Sequence, residues 1–266
     1  MTRILQITDI HLVAPPRLVS GRLSTFDIFK NAIDRILEDG EKIGKIDAIV
    51  ATGDITDTGD VESFGVFKNQ IERLGLPYYL VPGNHDLQAP MLSCFDDVLR
   101  LETRSKKINW VQDINEIRLI GLDTSLPNES GGILDEKTLA FLSESILTAQ
   151  DKPILIALHH PPFQSGIQFM DKIGLKNSQD LDAILNDVPN EIRLISGHLH
   201  STMISSIGNN IAISSAAISS SFLVDYRENA PIGFSTTSTG YMVHEWNNGF
   251  RSTCMPLSQV DGPHPF

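Results

Sequence analysis

Residues 78–86 read YYLVPGNHD. An apolar, aromatic-rich run ends at Pro-Gly, and side chains that hydrogen-bond and titrate follow at once. A buried parallel strand that brings polar residues to the carboxyl edge of its sheet has this pattern. The stretch is weak evidence alone, because an Asn-His-Asp turn can simply cap the next helix.

Four other predicted strands end in polar clusters of the same kind. The clusters are DIH at 9–11, GDITD at 53–57, HH at 159–160 and GHLH at 197–200. Taken singly, each is typical of a turn, a helix cap or a core histidine. Together with residues 84–86 they place five of the eight histidines at apolar strand ends with Asp or Asn, namely His11, His85, His159, His198 and His200. Buried imidazoles and carboxylates without partners are destabilising, so their collection in one cleft predicts bound divalent cations.

The order of predicted elements indicates an α/β fold. The predicted strands are 4–8, 46–51, 78–81, 107–111, 117–122, 154–158, 192–196, 202–207, 211–214, 241–246 and 250–255. The predicted helices begin at Ser24 or Thr25, at Asp60 and at Asp135, and two more cover 88–103 and 180–186. The first helix has Phe26, Phe29, Ile33, Ile36 and Leu37 at helical spacing, which predicts its inward face.

The first three strands alternate with helices, which favours parallel strands joined by right-handed crossovers. The later strands are shorter and more closely spaced, and some of them are expected to be antiparallel. We therefore expect a four-layer fold, in which two mixed β-sheets pack face to face and helices flank both. The metal site is expected at the C-terminal ends of the strands.

The same pattern predicts the domain organisation. Residues 1–206 are expected to form the core, and residues 207–266 to complete the sheet with C-terminal strands in the same domain. Residues 216–239 are rich in Ser, Thr and small residues. They are expected to form a loop or hairpin that caps the site or contacts another subunit in a homo-oligomer, although a plain surface loop fits equally.

Composition and net charge favour a small-molecule partner over polymeric nucleic acid. The chain has 266 residues, 41% of them hydrophobic, which is enough for one large α/β domain. Its formal net charge of -12 disfavours binding to polymeric nucleic acid. A small phosphate ester is not disfavoured, because bound dications reverse the field locally.

The expected location is the cytoplasm. The only cysteines, Cys94 and Cys254, lie far apart and are expected to be reduced. The apolar part of the N-terminus is too short for a signal peptide. No apolar run approaches the roughly 20 residues that span a bilayer, so no membrane contact is expected.

The five motifs resemble a known family. Asp-x-His, Gly-Asp-x-x-Asp, Gly-Asn-His-Asp, a His after an apolar strand, and Gly-His-x-His occur intact and in the order of the calcineurin-like metallophosphoesterases. The resemblance runs from residue 4 to about 206 and is very specific as a set. The chain looks most like the bacterial branch that holds class III cyclic-nucleotide phosphodiesterases and glycerophosphodiesterases.

The resemblance implies two divalent metal ions, which the mixed donor set leaves open between Fe, Mn, Co and Zn. Asp9, His11 and His200 would hold the first ion, Asn84, His159 and His198 the second, and Asp54 both, since its two oxygens can span neighbouring ions. A hydroxide bridging the metals would attack phosphorus in line, so no Ser or Cys nucleophile is required.

The resemblance also implies roles beyond the ligands. His85 and Asp54 would be catalytic, with His85 stabilising the transition state or protonating the leaving oxygen. Asn84, His85 and His200 would contact substrate. Asp57 and Asp86 would orient ligands, or equally act as turn carboxylates, and His160 would form pocket wall.

The substrate remains open between several small anionic esters. A 3′,5′-cyclic nucleotide of the cyclic AMP type is favoured, a glycerophosphodiester or a phosphomonoester is the alternative, and a non-enzymatic binding module or a DNA nuclease is the different-class alternative. A nucleotide would need a stacking surface, for which Phe163, Phe169 and Phe222 are the candidates, although loop phenylalanines are more often local packing. Arg17 and Arg22 are either substrate contacts or solvated loop residues.

Overall fold

The computed structural model describes residues 1–96, 98–99, 107–258 and 264. The strands are β1 (Thr2–Ile7), β2 (Ala48–Thr52), β3 (Tyr78–Val81), β4 (Trp110–Ile114), β5 (Ile117–Leu122), β6 (Ile154–Leu158), β7 (Ile192–Ser196), β8 (Met203–Ile207), β9 (Asn210–Ser214), β10 (Ser221–Phe222), β11 (Phe234–Ser235), β12 (Gly240–Trp246) and β13 (Phe250–Pro256). The helices are α1 (Thr25–Ile43), α2 (Val61–Ile71), α3 (Gln88–Cys94), α4 (Glu136–Leu147), α5 (Gln168–Asp171) and α6 (Ser178–Leu185).

Eleven of the strands form two mixed sheets, and β10 and β11 pair separately as an antiparallel hairpin. The first has the order β13-β12-β1-β2-β3, in which β1, β2 and β3 are parallel and the two C-terminal strands are antiparallel. The second has the order β4-β5-β6-β7-β9-β8, in which β5, β6, β7 and β9 are parallel. The carboxyl ends of parallel strands lie at one edge of a sheet. All five predicted motifs directly follow the carboxyl ends of parallel strands, namely β1, β2, β3, β6 and β7.

Two hydrophobic cores establish the layers. One core joins the helices of the first sheet to both sheets, with Phe29 from α1, Leu5 from β1 and Leu155 from β6 buried together. The other lies between the second sheet and its helices, and contains Leu142 from α4 and Leu181 from α6. The order helix, sheet, sheet, helix confirms the predicted four-layer α/β fold.

Side-chain caps explain where two helices begin. The Asp60 carboxylate accepts a hydrogen bond from Ser63 N at 2.8 Å, and the Asp135 carboxylate accepts one from Thr138 N at 2.8 Å. Both predicted starts are therefore confirmed. Leu37 was wrongly assigned to the inward face of α1, because its side chain is 46% exposed.

Two predicted elements differ from those observed. The helix expected over 88–103 ends at Cys94, and part of the remaining range lies outside the described residues. The strand expected at 107–111 begins only at Trp110. Here the amide of Ile108 donates to the Asp123 carboxylate at 3.0 Å, so a side chain takes the place of a ladder partner.

The C-terminal segment contributes to both sheets. Strand β9 joins the second sheet, where it pairs with β7, and β12 pairs with β1 in the first. Its membership of one domain with residues 1–206 stays a prediction. Among the described residues no helix is both long and apolar enough to cross a membrane. Cys94 and Cys254 are free thiols.

His244 is a fully buried polar residue between the sheets. Its Nε2 lies 2.9 Å from Gln6 Oε1, and its Nδ1 lies 2.8 Å from Ser252 Oγ. Burial, reinforced by the nearby Arg193 guanidinium, lowers the pKa of His244 to about 3. The folded protein therefore keeps this ring neutral at pH values where an unfolded chain protonates it.

This burial predicts acid destabilisation. As the pH falls below 6.5, the unfolded state binds a proton at His244 and the native state does not until about pH 3, so stability is lost across that window. In His244→Gln the slope of unfolding free energy against pH between 6 and 4 is expected to fall by about 1.4 kcal/mol per pH unit. Urea titrations at several pH values measure it, and an unchanged slope would contradict the assignment.

Candidate metal centre

Five strand ends bring the predicted site residues together. Asp9 and His11 follow β1, Asp54 follows β2, Asn84 and His85 follow β3, His159 follows β6, and His198 and His200 follow β7. Asp9, Asp54, His159, His198 and His200 are at most 5% exposed. The sequence-predicted set thus converges in one cleft at the carboxyl edges of both sheets.

The backbone at these strand ends is unusual. Asp9, His11, Asp54, His198 and His200 all have positive φ angles, between 45° and 69°. Non-glycine residues adopt this left-handed conformation uncommonly, and five of them at neighbouring strand ends fit the tendency of such residues to cluster at functional sites. Backbone hydrogen bonds across strand ends enforce it here, for example His11 N to Asp54 O at 2.9 Å.

Two motif glycines allow the strand ends to touch. A Cβ on Gly197 would lie 2.0 Å from Thr8 Oγ1, and a Cβ on Gly83 would lie 2.2 Å from Asp54 Oδ1. No larger residue fits either position without displacing a strand end. The glycines that precede the polar residues are therefore explained by close approach of the chain.

Asp9, His11 and His200 form the first group of candidate ligands. Their donor atoms lie within 4.8 Å of one another. Nε2 of His200 lies 3.1 Å from Nε2 of His11 and 3.4 Å from Oδ1 of Asp9. The arrangement matches the set that the sequence assigned to the first ion.

Asn84, His159 and His198 form the second group. Nε2 of His159 lies 3.2 Å from Oδ1 of Asn84 and 3.3 Å from Nδ1 of His198. The arrangement matches the set assigned to the second ion.

Asp54 lies between the two groups. Its Oδ2 is 3.5 Å from Nε2 of His11 and 3.4 Å from Nε2 of His159. Its Oδ1 instead accepts a hydrogen bond from His85 N at 2.9 Å. The sequence predicts that the two oxygens of this carboxylate each bind one ion. In the structure a single oxygen, Oδ2, faces both groups.

The histidine tautomers provide a test of whether a metal fits. In each of four rings one nitrogen faces an oxygen: His11 Nδ1 faces Asp57 Oδ1 at 3.1 Å, His159 Nδ1 faces Thr52 O at 2.8 Å, His198 Nε2 faces Ile173 O at 3.1 Å, and His200 Nδ1 faces Ser220 O at 2.8 Å. Carbonyl and carboxylate oxygens only accept, so these nitrogens carry hydrogen, and in a neutral ring the inward nitrogens carry lone pairs. Metal-binding histidines show this arrangement.

The inward lone pairs face one another at 3.1 Å in one group and 3.3 Å in the other. Such contacts between two acceptors are repulsive unless a proton or a cation lies between them. Ligand atoms bound about 2.1 Å from one ion are separated by roughly 3.0–3.4 Å in octahedral or tetrahedral geometry. The observed separations fall in this range, so the residues present fit a metal ion in each group.

Burial favours the neutral form of two candidate histidines, His198 and His200, whereas for His11 and His159 the neighbouring carboxylates outweigh burial and raise the pKa. Burial lowers the pKa of His200 to about 3 and also holds the pKa of His198 well below its usual value. Burial raises the pKa of Asp9 to about 6. For His159, burial acts to lower the pKa, but the Asp54 carboxylate outweighs it and raises the pKa to about 9. A proton on His159 thus offsets part of the acidic charge until a cation displaces it.

Asp86 fixes the loops that carry the site. Its buried carboxylate accepts hydrogen bonds from Ile55 N and Gly83 N at 3.0 Å and from Thr56 N at 2.9 Å. It therefore ties the loop after β2 to the loop after β3. Of the two roles left open for Asp86, this geometry favours orientation of the site over a simple turn.

Asp57 and His160 contact candidate ligands but are not themselves proposed as ligands. Asp57 holds the outer nitrogen of His11. Both nitrogens of His160 are engaged, with Nδ1 2.7 Å from Thr124 Oγ1 and Nε2 3.0 Å from Ser130 O. No lone pair of His160 is left for a metal, which supports its prediction as pocket wall.

Sequence reasoning missed the groups that orient the imidazoles. The carbonyls of Thr52, Ile173 and Ser220 each accept from a candidate ligand. Backbone oxygens have no side-chain signature, and Ile173 and Ser220 are distant in sequence from the motifs, so no sequence signal identified them.

The loop arginines are not held towards the cleft. Both terminal nitrogens of Arg17 lie 3.1 Å from the two carboxylate oxygens of Asp60, and Arg22 is exposed. The ion pair accounts for Arg17 without a substrate.

The candidate aromatic residues form a cluster beside the site. The ring of Phe222 lies 4.3 Å from that of His200, and Phe169 packs edge-on against Phe222 at 5.4 Å. Phe163 packs with the same cluster. Local packing therefore explains much of their contact surface.

Curated relatives match much or all of the chain. A probable glycerophosphodiester phosphodiesterase of Arcobacter nitrofigilis is 29% identical over 99% of this chain and 96% of its own length. A 3′,5′-cyclic-nucleotide phosphodiesterase of Nostoc is 32% identical over 74% of this chain and 71% of its own. A 3′,5′-cyclic adenosine monophosphate phosphodiesterase of Escherichia coli is 29% identical over 74% and 69%.

Solved structures with low sequence identity share the fold. A dimetal phosphatase from Danio rerio superimposes with a TM-score of 0.69 at 13% identity, covering 97% of each chain. A purple acid phosphatase from yellow lupin gives 0.63 at 14% identity, covering 91% of this chain and 49% of its own. The family model for calcineurin-like phosphoesterases matches residues 2–202. The five motifs, the two-sheet fold and this match establish that the chain belongs to the calcineurin-like phosphoesterase family.

Proposed function

We propose that this protein hydrolyses small phosphodiesters at a binuclear metal centre. The proposed ligands are Asp9, His11 and His200 for one ion, Asn84, His159 and His198 for the other, and Asp54 for both. The observation that carries the proposal is the set of inward-facing ring nitrogens in two groups with one Asp54 oxygen between them. The family implies two divalent ions, and the proposed identities are Fe, Mn, Co or Zn.

Bound divalent ions supply such a site with charge neutralisation at the phosphoryl oxygens and with activation of water at neutral pH. The residues of this chain supply orientation. Asp54 Oδ1 accepts the backbone N–H of His85, which places the turn that carries Asn84 and His85 against the ligand groups. The Asn84 amide group and the His200 ring are proposed to contact the phosphate.

His85 is proposed as the proton donor to the leaving alkoxide. Its Nδ1 lies 2.9 Å from Asp57 O, and its ring packs edge-on against His11 with centroids 4.7 Å apart. Within the described chain Nε2 of His85 has no hydrogen-bond partner, and its side chain is 41% exposed. Hydrolysis leaves an alkoxide that needs one proton. Because Nδ1 donates to Asp57 O, the imidazolium form of His85 would carry that proton on the open Nε2 and would become neutral on transfer.

Two observations favour a glycerophosphodiester over a cyclic nucleotide. The Arcobacter relative aligns over 99% of the chain, whereas the Nostoc and Escherichia relatives align over 74%. One side of Phe222, a candidate stacking surface, packs on His200. The cyclic nucleotide remains the second candidate, supported by the 32% identity of the Nostoc enzyme.

Other functions have less support. A binding module without catalysis would be expected to lack ligands, and all seven candidate ligands are present. A nuclease that acts on DNA would need a basic face, against a formal net charge of -12. A homo-oligomer and a cytoplasmic location remain predictions, as does a cap formed by residues 216–239.

Removal of metal provides the first test. Prolonged chelation is expected to abolish hydrolysis of bis(p-nitrophenyl) phosphate, and added Mn²⁺ is expected to restore it. The measurement combines elemental analysis with the rate. Metal-free protein that retains full activity would refute the binuclear mechanism.

Replacement of His85 provides the second test of the proposed function. His85→Asn is expected to lower kcat by roughly 10²- to 10⁴-fold, the usual contribution of a general acid, with metal content unchanged. His264→Asn makes the same substitution at an exposed histidine far along the chain and serves as the matched control. Wild-type turnover in His85→Asn would show that the assigned role is wrong.

A panel of substrates provides the third test of the proposed function. The metal-loaded enzyme is expected to hydrolyse glycerophosphoethanolamine with a higher kcat/KM than cyclic AMP, and bis(p-nitrophenyl) phosphate faster than the matching monoester. The reverse order for the first pair would instead favour a cyclic-nucleotide phosphodiesterase. Cleavage of duplex DNA at physiological salt would favour a nuclease.

A further inference from the structure

Each proposed metal position takes ligands from both sheets. In the first group Asp9 and His11 follow β1 of the first sheet, whereas His200 follows β7 of the second. In the second group Asn84 follows β3 of the first sheet, whereas His159 and His198 follow strands of the second. Metal affinity therefore depends on how far apart the two sheet edges are held.

Gln6 lies where it can set that separation. It is on β1, fully buried, and its side-chain Nε2 donates to Thr52 Oγ1 at 2.8 Å and to Ser196 O at 2.9 Å. Thr52 ends β2 in the first sheet and Ser196 ends β7 in the second. Each stands two residues before a proposed ligand, Asp54 in one case and His198 in the other.

The opposite end of the amide is also fixed. Gln6 Oε1 lies 2.9 Å from His244 Nε2, and His244 Nδ1 lies 2.8 Å from Ser252 Oγ. Ser252 Oγ in turn accepts from the Arg193 guanidinium at 3.1 Å. Because the amide oxygen and both amide hydrogens are engaged, the Gln6 side chain cannot turn without leaving a buried polar group unpaired.

We infer that Gln6 is a positioning residue for the metal centre. Its amide joins the last residue of β2 to the last residue of β7 and so fixes the spacing between the two sets of ligands. It touches no ligand side chain. The inference rests on the proposed binuclear site, and concerns metal affinity and not the chemical step.

The test measures metal binding to metal-free protein by competition with a chromophoric chelator, using Mn²⁺ and Zn²⁺ separately. Gln6→Glu keeps the size of the side chain and an acceptor towards His244, but removes both N–H donors. Its dissociation constants are expected to rise by about 10- to 100-fold, the usual effect of losing a group that orients metal ligands. Gln6→Met, similar in volume and uncharged, carries the same expectation should the glutamate variant fail to fold.

Ser252→Ala is the matched control. It breaks the same buried network at its far end, where it removes the partner of His244 and Arg193, and leaves the three hydrogen bonds of Gln6 in place. Its dissociation constants are expected to equal those of the wild type, although its urea midpoint falls. An equal loss of affinity in Ser252→Ala and Gln6→Glu would reduce Gln6 to a general structural role and overturn the inference.

The readout separates this inference from the proposed function. If wild-type protein binds neither ion tightly, the binuclear site itself is refuted. If wild type binds both ions and the Gln6 variants bind them equally well, only the positioning role of Gln6 is refuted. Circular dichroism of each metal-free variant establishes that the comparison is made between folded proteins.

Discussion

The contact between the carboxyl edges of the two sheets is the constraint on which the rest of this structure depends. Nδ1 of His159, from the second sheet, lies 2.8 Å from Thr52 O in the first, and His198 N donates to the Asp9 carboxylate at 3.0 Å. These bonds bring acids and imidazoles from two separate sheets into one cleft. A cation bound there joins the same edges, so metal binding and the native packing of the sheets reinforce each other.

The same contact explains why so many polar groups are tolerated in the interior. Each of the four candidate imidazoles is held at its outer nitrogen by an oxygen, which fixes both the tautomer and the direction of the free lone pair. The left-handed backbone at Asp9, Asp54 and His198 turns these side chains inward directly after their strands. The strain at these positions is therefore part of how the strands deliver ligands.

The proposed reaction chemistry depends on a small part of the fold. The groups that would handle the phosphate lie within the five motifs, between residues 9 and 200. Aromatic side chains beside the cleft lie outside these motifs, for example Phe222, which packs against His200. A reaction centre that contacts only the phosphate can serve diesters with different alcohols, so the proposed site does not by itself fix the substrate.

The sequence alone determined the order of the principal strands and helices, though not the short helix α5, together with the helix starts at Asp60 and Asp135 and the set of proposed ligands. These features depend on short-range patterns: apolar runs, capping residues and polar clusters directly after strands. Only the tertiary structure decided which oxygen of Asp54 faces both groups, that His160 has no free lone pair, and that Gln6 spans the sheets. These depend on distances between residues far apart in the chain, such as Gln6 and Ser196, and no local pattern records how two sheets approach each other.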